Sequence, residues 1–161
     1  MAPGGIGENS QNNVAFPHEM MSSLTPHGKG FSFLDTFELT DIPQQGLGTK
    51  WLDPTLPFFA DHFPGKPLMP AVLLIECGAQ TAGALWASFQ GASAPAHYIL
   101  AQVLQFKILH PVLPGDKIET KVALETSLGR LAQFEVVLSV NQREVAHGKI
   151  ILGMMANKTD A

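Results

Sequence analysis

The run PAVLLIECGAQTAGALWASF, residues 70–89, sets the strongest limit on how this chain folds. It is apolar nearly all round, which marks a helix buried on most sides. Pro70 suits the first helical position, where its missing N–H costs nothing, and places Met69 at the N-cap. Gly91 and the small polar residues after it end the run. At about 1.5 Å per residue such a helix is about 30 Å long, enough to cross a bilayer. An acid, Glu76, and an amide, Gln80, sit inside it, and amphipathic strands follow it. A helix wrapped by a sheet accounts for these features, and a membrane span does not.

The flanking segments supply the sheet. In FSFLDTFEL, residues 31–39, Phe31, Phe33, Phe37 and Leu39 alternate with polar residues, the period of a half-buried strand. Asp35 falls on the apolar face and reads as a hydrogen-bonded structural residue. A shorter strand is expected over 47–52. Residues 53–69, DPTLPFFADHFPGKPLM, hold four prolines and no consistent period, so they read as an ordered, stiffened loop. After the helix, strands are expected over 98–109, around 118–124, over 131–140 and over 145–154. Pro114-Gly115-Asp116 turns the chain between the first two, and Asn141-Gln142-Arg143-Glu144 links the last two. A long buried helix followed by four antiparallel strands makes an α+β domain with its sheet curled around the helix.

Its 161 residues suffice for one domain with a sizeable core. Charged residues make up only 15%, where about 25% is usual. So low a fraction implies surface hidden against another subunit, and a homodimer or higher oligomer is expected. The net charge of −4, with Lys and Arg scattered, argues against nucleic-acid binding. A single cysteine, Cys77, allows no internal disulfide, which points to a reducing, cytoplasmic setting. Residues 1–23 lack a basic and apolar leader and read as a flexible lead-in, with one domain over 24–157 and a tail at 158–161.

The loop and the helix together carry chemistry. His62 sits in the proline-stiffened loop, and an imidazole held there can take a proton near neutral pH. Glu76 lies two turns into the helix among Leu73, Leu74, Ile75 and Ala79. Such surroundings disfavour the carboxylate and keep a proton to give. Neither Met69 nor Pro70 can cap the helix, so the N–H groups of Ala71 and Val72 stay open at its positive end, where they can hold a developing oxyanion. Base, acid and oxyanion donors are what removal of a proton beside a carbonyl requires. Cys77 points about 100° away from Glu76 around the helix and reads as a small buried hydrophobe. The remaining histidines have no zinc-site spacing, and there is no phosphate-loop or Gly-x-Ser-x-Gly pattern.

FFADHFPGKPLMPAVLLIECGAQ, residues 58–80, resembles the signature of the bacterial 3-hydroxyacyl-[acyl-carrier-protein] dehydratases. The family's catalytic His falls on His62 and its carboxylate on Glu76, 14 residues later. Gly65 belongs to the same loop motif, and Gln80 matches a family Gln one turn beyond Glu76; both are assigned supporting roles. PHGKGFSFLDTFEL (26–39) and VLQFKILHPVLPGDKI (103–118) extend the likeness, which covers about residues 24–154. The resemblance implies a hotdog fold and a dimer whose two sheets join. It also implies dehydration of (3R)-3-hydroxyacyl thioesters to trans-2-enoyl thioesters in fatty-acid or related acyl-chain synthesis. Each site would take His62 and Glu76 from different chains, beside a tunnel for a phosphopantetheine-linked acyl chain. No metal or other cofactor is implied. The carrier is acyl carrier protein or coenzyme A.

Two positions depart from the family. Ala71 stands where Gly is usual, keeping the N–H and adding a methyl group. Asp61 stands where Gly often precedes the His, and it is expected to face solvent. Two other readings stay open. One is another hotdog enzyme, a coenzyme A thioester hydratase or a thioesterase. The other is a non-catalytic hotdog subunit that binds acyl chains.

Overall fold

The computed structural model describes residues 14–16, 24–41, 44–90 and 97–155. The expected tail at 158–161 and most of the expected lead-in lie outside them, as does Gly91. The described chain is one antiparallel sheet laid against one long helix. Its elements are β1 (Val14–Phe16), β2 (Thr36–Asp41), β3 (Gln45–Trp51), α1 (Phe58–Asp61), α2 (Ala71–Phe89), β4 (Tyr98–Ile108), β5 (Lys117–Leu128), β6 (Leu131–Val140) and β7 (Arg143–Met154). The strand order is β1-β2-β3-β5-β6-β7-β4, so β4 forms one edge although it follows the helix directly. Helix α2 touches every strand from β2 to β7, and the sheet curls around it as expected.

Close approach of helix to sheet depends on small side chains. A Cβ on Gly78 would lie 2.8 Å from Val136 Cγ1, and one on Gly48 of β3 would lie 2.5 Å from Thr81 Oγ1. Around these contacts Thr81, Ala82, Ala84, Leu85, Trp86 and Ala87 are buried, closing a core with Phe37, Val122, Phe134, Val136, Leu138 and Ile150. The loop 109–116 ties the site to this core. Val112 O accepts the Met69 N–H (2.8 Å), and the turn at Gly115 exchanges hydrogen bonds with Leu52.

Several sequence expectations are corrected. Helix α2 begins at Ala71 with Pro70 at the N-cap, one residue later than expected. It is buried on most sides, as expected, except in its first turns, where Ala71 and Val72 are exposed and Leu73, Ile75, Glu76 and Ala79 are only partly buried. The alternation over 31–39 is not one strand. Residues Lys29–Phe31 form a 3-10 turn, and the consecutive Phe33 and Leu34 are both buried, so the strand starts at Thr36. Phe31 and Phe33 instead join a ring cluster with Phe58 and Phe59. Residues 53–69 contain the short helix α1. The link after β6 is tighter than four residues: Asn141 and Gln142 alone turn the chain, both at positive φ, the twist that suits a two-residue hairpin. Strand β1 falls inside the expected lead-in and pairs Val14 with Leu39 and Phe16 with Phe37.

Candidate active site

His62 is presented by a turn whose residue types are dictated by its geometry. Phe63 and Lys66 bond each other through both N–H and C=O (Phe63 N to Lys66 O 3.1 Å, Lys66 N to Phe63 O 2.9 Å). Pro64 takes the second position of this turn and Gly65 the third, where φ is +73°, a conformation that favours glycine. The turn folds Leu68 back onto His62. The Leu68 N–H donates to His62 O at 2.9 Å, and His62 Nδ1 lies 3.1 Å from Leu68 O. A carbonyl can only accept, so the proton sits on Nδ1 and the Nε2 lone pair is free to act as a base. Phe63 stacks on the imidazole at 4.1 Å between ring centres. Asp61 is exposed, as expected, and Gly65 serves the site through the backbone alone.

On α2 the supporting amide is deeply buried. Gln80 is 2% exposed. Its Oε1 accepts the Phe33 N–H (2.8 Å), and its Nε2 donates to Phe31 O (2.9 Å) and to Glu76 Oε1 (2.9 Å). Gln80 thus locks the segment before β2 to the helix and orients the carboxyl one turn away. Glu76 itself is less enclosed than its apolar neighbours in sequence imply. Its side chain is 21% exposed, because it lies off the helix face of Leu74, Cys77 and Gly78 that packs under the sheet.

The helix start behaves as expected despite the shift in boundary. Pro70 makes no side-chain cap, and Leu73 is the first residue whose N–H bonds back, to Pro70 O at 2.9 Å. The N–H groups of Ala71 and Val72 are left without partners among the described residues, and Val72 is 68% exposed. Beside this turn lies a cavity of about 260 Å³ lined by Phe31, Phe33, Leu56, Phe58 and Leu73, with Lys29 and Lys50.

Within one chain the structure joins Glu76 to Gln80 but places no hydrogen bond or ion pair between His62 and Glu76. Asp35, expected to be structural, accepts from Lys50 Nζ (2.9 Å) and from the Trp51 N–H (2.7 Å). Cys77 is fully buried, and burial pushes its thiol up to about 12, far from a nucleophile's range. Sequence reasoning assigned no role to His27, whose Nε2 lies 3.4 Å from Glu76 Oε1. The Pro26-His27 pair was the available signal, but nothing in its spacing pointed at Glu76.

Several known proteins are similar to this chain. Residues 43–149 match the ApeI-like family, described as ApeI dehydratase. The chain is 34% identical to the 3-hydroxyacyl-[acyl-carrier-protein] dehydratase FabZ of Bartonella quintana, covering 89% of this chain and 92% of that protein. It is 35% identical to the FabZ of Sinorhizobium fredii, covering 86% and 88%. Among solved structures, the dehydratase heterocomplex ApeI:P from Xenorhabdus doucetiae superposes with a TM-score of 0.72 at 16% identity, over 87% of this chain and 93% of that one. A hypothetical thioesterase with coenzyme A from Streptococcus pneumoniae superposes at 0.58 and 10% identity, over 78% and 90%. These structural likenesses establish the hotdog fold.

Proposed function

The chain belongs to the ApeI-like dehydratase family, and on that premise we propose that it removes water from 3-hydroxyacyl thioesters in acyl-chain synthesis. His62 Nε2 takes the proton α to the thioester while the carbonyl oxygen accepts from the Ala71 and Val72 N–H groups. Glu76, protonated and held by Gln80, gives its proton to the β-hydroxyl. The β C–O bond breaks, the α–β double bond forms, and water leaves. Both proton transfers are supplied by side chains, so the reaction draws on no cofactor. The observation that carries this reading is the Leu68 clamp on His62, which leaves Nε2 as the free base.

The working unit in this reading is a homodimer with shared sites. Strand β4 is a sheet edge with Ile99, Leu100 and Val103 exposed, the kind of edge that pairs with another chain. A second copy joined there would cover the open front of α2 and bring its own His62 loop to Glu76. The cavity of Phe31, Phe33 and Phe58 gives the acyl chain an apolar lodging. Acyl carrier protein is the proposed carrier, in line with the relatives' names. The reduced, buried Cys77 accords with a cytoplasmic setting.

The test is enoyl formation from 3-hydroxyacyl thioesters on acyl carrier protein and on coenzyme A. Wild type turns over, while His62→Ala and Glu76→Gln each lose about 10²–10⁴ in rate. Refolding the two variants together then tests the shared site. Half the dimers are mixed, each with one intact site of two, so about a quarter of wild-type activity returns. If the mixture stays as inactive as its components, the site is not shared. Near wild-type turnover by Glu76→Gln removes Glu76 as the acid.

A further inference from the structure

His27 and Tyr98 stand outside the acid–base pair, yet their polar atoms converge behind Glu76. His27 Nε2 lies 3.4 Å from Glu76 Oε1, the oxygen that already accepts from Gln80. The other ring nitrogen, Nδ1, is buried and has no hydrogen-bond partner, and the same holds for Tyr98 Oη. Both residues line one small cavity with Leu24, Thr25, Ala79 and Gln80. Its volume of about 10 Å³ is room for one water molecule. Buried polar atoms are nearly always hydrogen-bonded, so two of them on one water-sized cavity point to a bridging occupant. The Tyr98 ring is held in place by stacking on Trp86 at 4.7 Å.

We propose that His27 is a positioning residue for Glu76, itself oriented by one buried water that it shares with Tyr98. Tyr98 Oη donates to the water, the water donates to His27 Nδ1, and Nε2–H donates to Glu76 Oε1. Burial raises the Tyr98 phenol, which keeps it a donor at neutral pH. Chemically, the consequence concerns which oxygen of Glu76 carries the proton. With Gln80 and His27 both donating to Oε1, the acidic proton sits on Oε2, the oxygen left for substrate. After the proton has gone, the same two donors stabilise the new carboxylate. This deepens the reading of Glu76 as the acid and rests on it.

The experiment measures kcat and KM for dehydration by His27→Phe, His27→Gln, Tyr98→Phe and the double variant His27→Phe/Tyr98→Phe, with Glu76→Gln in parallel. His27→Phe is expected to lose about tenfold in kcat with KM nearly unchanged, the size of one hydrogen bond to a charged group. His27→Gln, whose amide can both donate to Glu76 and accept from the water, should recover most of that loss. Tyr98→Phe should lose less, and the double variant should fall no further than His27→Phe, because both act through one chain of bonds. Equal impairment of the Phe and Gln variants, or a loss confined to KM, overturns the proposal. So does wild-type kcat in His27→Phe while Glu76→Gln is inactive, and in that case the acid assignment survives. Activity in Glu76→Gln overturns both.

Discussion

The two halves of α2 draw on much the same small and apolar residues and end in opposite surroundings. From Gln80 to Ala87 the helix lies under the sheet with every described side chain but Gly83's absent one tightly enclosed. From Ala71 to Ala79 only Leu74, Cys77 and Gly78 are buried, and the rest of the surface faces out of the chain. Hydrophobicity does not distinguish the halves. What does is how many faces are covered: the later turns are enclosed all round, while in the first turns only the face of Leu74, Cys77 and Gly78 meets the core, Gly78 against Val136 of β6. The two open N–H groups and the proposed acid stand on the less covered half, and the amide that aims the acid, Gln80, opens the buried half. The sheet provides a rigid seat, and the proposed site uses the part of the helix that this chain leaves uncovered.

The sharpest way to break that comparison is to remove a donor from the less covered half without disturbing the buried one. Ala71→Pro deletes the Ala71 N–H. Pro70 has φ −56° and ψ 132°, the extended conformation that a residue before proline adopts readily. Position 71 is the first of the helix, where proline fits. The variant should therefore fold and dimerise, while dehydration falls by about 10²–10³, the cost of one oxyanion donor. Circular dichroism would establish the fold and enoyl formation the rate. Full activity in a folded Ala71→Pro protein would show that the helix start does not hold the thioester oxygen.

The opposite intervention strikes where helix meets sheet. Gly78 leaves no space for a side chain, its Cβ position being 2.8 Å from Val136 Cγ1. Gly78→Leu must push α2 off β6, and overpacking of this kind costs about 1–3 kcal/mol. Thermal unfolding should show a lower Tm, with residual activity in the folded fraction falling because Glu76 moves with the helix. An unchanged Tm would mean that the helix rides more loosely on the sheet than the contact at Val136 requires.

How far the sequence reveals this division depends on what kind of signal each part leaves. Helix α2, β3, β4, β6 and β7 are visible to within a residue or two, because long apolar periods and Pro-Gly-Asp or Asn-Gln turns mark them locally, while β5 runs on to Leu128, four residues past the alternation that ends at Leu124. His62, Glu76 and Gln80 are visible through a motif in which Pro64 and Gly65 leave a recognisable turn. Phe31 and Phe33 mislead, since two rings spaced two apart look like a strand whether they pack on a sheet or on Phe58. The partial exposure of Glu76 is invisible for a different reason. It is set by which face of α2 the rest of the fold covers, a tertiary fact that no property of Leu73, Leu74 or Ile75 encodes. His27 escapes likewise, because its contact with Glu76 joins positions 49 residues apart.

The smallest expected effect separates two neighbours in sequence, Glu76 and Cys77, which face the two environments. Cys77 is fully buried, and that burial pushes its thiol from the ordinary 9.0 up to about 12. The thiolate is the reactive form, so at pH 8.5 the folded protein should resist a thiol-modifying reagent that labels the urea-unfolded chain readily. The same shift carries a sign for stability. Between 9.0 and about 12 the folded protein keeps a proton that the unfolded chain has released. Stability from this group is therefore whole below pH 9.0 and declines as the pH rises through that window. Replacing Cys77 with Ala should flatten this part of the alkaline decline while leaving dehydration almost unchanged, because the side chain points under the sheet and not toward substrate. Rapid labelling of the folded wild type at pH 8.5 would mean that the helix opens between Glu76 and Gln80. The covered face of the first turns would then be looser than the full burial of Cys77 requires.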